Sequence, residues 1–143
     1  MADLDPLIRV RKHAVEQKQK FLAELYRQAE EMEAQKRSML DTLAEERKRV
    51  DEMGVEALGY FGNYSQAVKN RVEDIDEAMV KLNHRIDIAR DEMARAFEEL
   101  KKIEITQERR KAEEEKELKK KESDLMDEIA LDGYRRKMEE EKG

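Results

Sequence analysis

Val68, Val72, Ile75, Met79, Leu82, Ile86, Ala89, Met93, Ala96, Leu100 and Ile103 recur at alternating spacings of four and three. That pattern holds one apolar seam along a helix and faces it to a single partner, which marks a coiled coil. Towards the N-terminus the pattern is looser, running through Leu7, Val10, Ala14, Phe21, Leu25, Met32, Met39, Leu43, Val50 and Met53. Three of its intervals (Phe21 to Met32, Met32 to Leu43, Met39 to Val50) are eleven residues. An eleven-residue repeat drifts less against a straight helix than a heptad does. The first helix is therefore expected to be straighter, or less evenly packed, than the second.

The two patterns meet at "GYFGNYS", residues 59 to 65, where glycines and aromatics crowd together. Glycine tolerates the left-handed conformation that ends a helix, and Asn63 followed by Gln66 resembles a capping box. At the other end Asp5 suits an N-cap and Pro6 a first helical position, where a missing N–H costs nothing. These signals predict helix 1 over about 6–58, a tip over about 59–64, and helix 2 over about 65–132, with 141 as its outer limit. Gly54 falls inside the predicted first helix at a cost of about 1 kcal/mol relative to alanine. So short a link forces the helices antiparallel. Folding about Gly62 pairs residues whose numbers sum to about 124, placing Phe21 near Ile103, Leu25 near Leu100 and Leu7 near Glu117. The expected fold class is all-α: a long two-helix antiparallel coiled-coil hairpin, in one domain over 1–143, with an overhanging C-terminal helix.

Composition narrows the picture. Of 143 residues, 46% are charged and 38% hydrophobic, with no Cys, no Trp and one Pro. Such a chain cannot build a thick core, and its helical periodicity favours a coiled coil over disorder. The formal charge of −6 is distributed as alternating signs. Pairs with Glu four residues ahead of a cation recur (Glu16–Lys20, Glu33–Arg37, Glu45–Arg49, Glu77–Lys81, Glu98–Lys102, Glu115–Lys119, Glu117–Lys121) and favour helix without choosing a partner. No one-sided basic surface suggests nucleic acid. No apolar run approaches a membrane span and no signal peptide is legible, so direct membrane insertion is not expected. The sequence reads as soluble and intracellular.

Catalytic chemistry has no footing. Cysteine is absent, removing thiolate nucleophiles and thiolate metal sites. His13 and His84 lie on different helices without facing each other, and the glycines form no phosphate loop. The carboxylates lie among lysines and arginines, which keeps them ionised. A two-helix rod is expected to lack a concave pocket. The expectation is a non-enzyme without cofactor or metal, working through surfaces.

Three surfaces qualify. At the tip, Tyr60, Phe61 and Tyr64 are potential interface anchors; alternatively one or two of them, Phe61 first, fold inward to cap the seam. Val80, His84 and Ile88 recur at spacings of four beside the helix 2 seam, where a two-stranded coil has no core role for them; scattered exposed apolar residues are the equal alternative. Near the termini, Arg9, Arg11 and Lys12 are expected beside the charged run from Arg109 to Lys121, a charge density that is usually just a solvated face. Beyond that run, Leu125, Met126, Ile129, Ala130, Tyr134 and Met138 restore an apolar stripe, interrupted by Gly133. Either it meets another molecule or it frays.

"LDPLIRVRKHAVEQKQKFLAEL" (4–25) resembles the opening of the FliJ family of the bacterial flagellar type III export apparatus. "ERRKAEEEKELKKKESDLMDEIA" (108–130) resembles that family's closing segment, ending here in Asp127-Glu128-Ile129-Ala130. The resemblance implies a cytoplasmic, non-enzymatic coiled coil, monomeric in isolation and peripherally associated with the membrane at the export apparatus. It implies a role like the central stalk of a rotary ATPase: binding and promoting the hexameric export ATPase, contacting the export gate membrane protein, and handling export chaperones. By that analogy Arg9, Arg11, Arg109 and Arg110 would stand at the ATPase end, and Phe61, Tyr64, Val80, His84 and Ile88 at the gate end. The glycine-rich tip and Gly133 match no pattern of the family. A generic structural coiled coil and a prefoldin-like holdase are the competing readings.

Overall fold

The computed structural model describes residues 3–142. Two α-helices account for nearly all of them: α1, Asp5–Met53, and α2, Val55–Lys142. They pack against each other as an all-α hairpin, as the seams predict.

The reversal is not where the glycine-rich stretch suggests. Only Gly54 separates the helices, at φ +100°, a conformation that L side chains adopt at a cost and glycine adopts freely. The predicted tip, 59–64, is helical throughout and belongs to the second turn of α2 and beyond. Helix 1 therefore ends five residues before its expected limit of 58, and helix 2 starts ten residues before 65. Asn63 and Gln66 cap nothing there; the Gln66 amide donates to the Asn70 side chain at 3.0 Å. At its far end α2 runs through Gly133 to Lys142. The start of α1 lies one residue from its expected cap: Ile8 N–H donates to the Leu4 carbonyl at 2.9 Å, so Leu4 caps the helix, and Pro6 lies in the first turn, where no N–H is required.

Moving the hinge resets the register. Leu4 meets Gln107, Lys18 meets Glu92, and Lys36 meets Asp76, pairs whose numbers sum to about 111 instead of the expected 124. Phe21 accordingly does not reach a seam and is 47% exposed, and Leu7 does not stand near Glu117. The same register reveals the true seam of α1. Leu4, Ile8, Arg11, Val15, Lys18, Leu22, Leu25, Ala29, Met32, Lys36, Met39, Leu43, Glu46 and Val50 are all buried or half-buried. They alternate spacings of four and three without a break. The first helix is thus a regular heptad helix, and the eleven-residue reading was produced by Arg11, Lys18, Lys36 and Glu46 standing where apolar residues were sought. Charged seam residues cost stability and specify register.

Contacts divide the chain into two units, Arg11–Glu98 and Met1–Val10 with Glu99–Gly143. In the first, Leu22, Leu25, Leu82, Ile86 and Ala89 form the buried core, with Ala29, Met32 and Met93 packed on it. Leu25 is 1% exposed. Two ion pairs cross this unit: Lys18 Nζ to Glu92 Oε2 at 3.0 Å and Lys36 Nζ to Asp76 Oδ1 at 2.7 Å. The bond to Asp76 holds the Lys36 ammonium above the ordinary lysine range. Its contribution to stability is therefore present at neutral pH and is lost only as pH climbs past 10.5 and through the raised value. Along α1, Arg27 clamps Glu24 and Glu31 at 2.7 and 3.1 Å, and its hydrogen bond lowers the Glu24 carboxyl pKa. Arg49 takes Glu46 at 3.3 Å, not the expected Glu45.

In the second unit the first turn of α1 is locked by one side chain. Gln107 Oε1 accepts from Leu4 N–H at 2.9 Å, and its amide donates to the Asp5 carboxylate. Asp3 Oδ1 accepts from Asp5 N–H at 3.0 Å. Gln107, 8% exposed, is the buried polar residue that closes the seam. Beyond it every described residue, 108 to 142, is exposed.

Three stability outcomes are expected in thermal or urea unfolding. Gly54→Ala, forced to a positive φ, destabilises by about 1–2 kcal/mol, whereas Gly62→Ala, in mid-helix, stabilises by about 0.5–1 kcal/mol; a tip at Gly62 would reverse that order. Leu25→Ala costs about 2–5 kcal/mol. Lys36→Leu exchanges a half-buried ion pair for an apolar seam residue and raises the melting temperature by a few degrees.

Candidate functional site

The hinge exposes apolar side chains on both its flanks. Met53 and Val55 are 76% and 83% exposed, and Leu58 is also exposed. One turn on, Tyr60 points outward, while Phe61 and Tyr64 are half-buried. These three aromatics line a shallow cleft with Val50 and Glu46 of α1. The inward reading holds for Phe61, which occupies the seam level of Val50, and extends in part to Tyr64. Tyr60 is the anchor left in solvent. Of the residues that actually form the tip, Met53 was read as the end of the helix 1 seam, and Val55 and Leu58 fell inside the expected first helix. The signal that could have found them was Gly54 itself, treated as a tolerated mid-helix glycine.

Val80, His84 and Ile88 are all exposed on α2, Val80 at 71% and Ile88 at 47%. Their spacing of four aligns them on one face, and the seam residues Met79, Leu82, Ile86 and Ala89 lie on the side turned to α1. His13 and His84 are both exposed and face no common site. No metal-holding group of His, Cys, Asp and Glu occurs among the described residues.

The arginines near the termini are not gathered as expected. Arg9, Arg109 and Arg110 are exposed, whereas Arg11 is half-buried at a seam position of the other unit. The bond between Leu4 and Gln107 sets Arg9 level with Lys102, on the order of 10 Å along the axis from Arg109. Arg109 and Arg110 lie just past the point where α1 begins. Sequence reasoning missed Gln107 because it opens a run of charged residues; only the correct register shows that it is the last member of the seam.

This geometry offers exposed helical faces and shallow clefts, among them the one beside the hinge and one along Arg109, Glu113 and Lys116. Among the described residues no helix is long and apolar enough to cross a membrane. Comparison with curated proteins and with solved structures finds no match. A family model described as "Flagellar FliJ protein" matches residues 1–139. With nearly the whole sequence matched and the hairpin that the resemblance implies in place, the chain belongs to the FliJ family of flagellar export components.

Proposed function

We propose that this chain, a component of the flagellar export apparatus by its family, works there as a non-enzymatic, stalk-like coiled coil. In this reading it binds and promotes the hexameric export ATPase and links it to the export gate and to export chaperones, from the cytoplasmic side of the membrane. The observation that carries the reading is the stretch 108–142, helical to Lys142 and exposed on every side. A solvated, densely charged helix makes contacts that are numerous, polar and individually weak. An axle held by such contacts can present different faces to six identical subunits without obeying their symmetry.

Arg9, Arg109 and Arg110 are the proposed ATPase contacts. Arg11 is assigned to the same end but also serves the seam, so its substitution would disturb packing. Val80, His84 and Ile88 are the proposed gate face, with Phe61 and Tyr64 behind the hinge extending it. All but Phe61, Tyr64 and Arg11 are exposed, so their replacement should leave the hairpin intact.

The test is ATP hydrolysis by the purified export ATPase with and without the full chain. The wild-type chain should raise the rate several-fold. Arg109→Glu with Arg110→Glu should remove most of that stimulation while circular dichroism stays unchanged. Val80→Asp with Ile88→Asp should spare stimulation and weaken pull-down of the gate's cytoplasmic portion. A chain that leaves hydrolysis unchanged, yet keeps an unrelated unfolded protein from aggregating, would instead support the holdase reading.

A further inference from the structure

The stretch past Gln107 contains a repeat that the hairpin does not use. "RRKAEEEK" (109–116) returns as "RRKMEEEK" (135–142). Between the copies lie Leu118, Leu125, Met126 and Ile129, each more than half exposed. At about 100° per residue, these four fall with Glu122 and Gly133 inside a sector of about 100°. The sector is a narrow apolar face on a helix that α1 does not cover.

We propose that residues 111–140 form a self-association surface, on which a second copy of this chain packs antiparallel about a two-fold axis between Leu125 and Met126. The face is its own complement in that register. Leu125 meets Met126 of the second copy, and Leu118 meets Gly133. Glycine then supplies the hole for a leucine knob, which accounts for a glycine in mid-helix whose missing Cβ would meet nothing within the chain.

The charges at either end of the same sector agree. Lys111 falls opposite Glu140 of the second copy, and Glu115 opposite Arg136. More broadly, two members of each basic triplet stand level with glutamates of the other chain: Arg110 and Lys111 with Glu141 and Glu140, and Arg136 and Lys137 with Glu115 and Glu114. A parallel, in-register pair would set basic on basic and acidic on acidic, so the repeat selects against it. Glu122 opposite Ile129 is the one mismatch, and it keeps the association weak. Arg109 and Arg110 lie off this sector, so the inference does not rest on the stalk reading. It differs from the monomer in isolation that the family resemblance implies.

Sedimentation equilibrium of the full chain, from low micromolar to near-millimolar concentration, tests it. A reversible monomer–dimer equilibrium is expected, weakening as salt is raised. Arg136→Glu should raise the dissociation constant at least tenfold by placing two carboxylates together at each end. Adding Glu115→Arg should restore it to within about threefold. Positions 115 and 136 are about 30 Å apart along one helix, so rescue cannot arise within a chain. Glu122→Leu should tighten the dimer at least tenfold. A chain monomeric throughout would overturn the proposal and assign the face to a different partner. A dimer indifferent to Arg136→Glu, or not rescued by Glu115→Arg, would overturn it as well.

Discussion

One residue sets the register of this molecule. Gly54, at φ +100°, reverses the chain with no other residue between the helices, so every level of the hairpin is fixed by counting outward from it. That count brings Lys36 to Asp76, Lys18 to Glu92 and Leu4 to Gln107. A one-residue reversal leaves no slack in which a mispaired seam could be absorbed. The polar residues placed along the seam must therefore find partners where the count puts them, and these do.

The seam of α2 was plain in the sequence because each of its positions carries an apolar side chain. The hinge was not, for a reason inherent to coiled coils. Heptad seams look alike after a slip of two repeats, so hydrophobic periodicity alone accepts a pivot near Gly62 almost as readily as one at Gly54. What identifies the second is its polar pairing: it brings Lys18 to Glu92 and Lys36 to Asp76 and gives Gln107 an N-terminus to cap. Those side chains read as surface until the register is known. Arg11 and Glu46 misled in the same way, making a regular seam look like an eleven-residue one.

The candidate surfaces divide along the same line. Val80, His84 and Ile88 were legible because they flank a seam read correctly, and their exposure depends only on helical phase. Tyr60, Phe61 and Tyr64 were recognised as unusual but given the wrong setting: two of them pack at the base of the reversal while Met53, Val55 and Leu58 form its crest. The arginines depended on the pairing of the termini and moved with it. An overhang of helix 2 was legible, but the expected register, with Leu7 near Glu117, started it more than ten residues too late: it begins just past Gln107.

The Gln107 lock also bears on how the chain assembles. Its contact with Leu4 joins residues 103 apart, which would be a costly loop to close from an open chain. In a hairpin that cost is spread over successive levels, because each closed level brings the next within reach. Long-range pairing is thereby converted into a succession of local steps, the regime in which chains fold quickly.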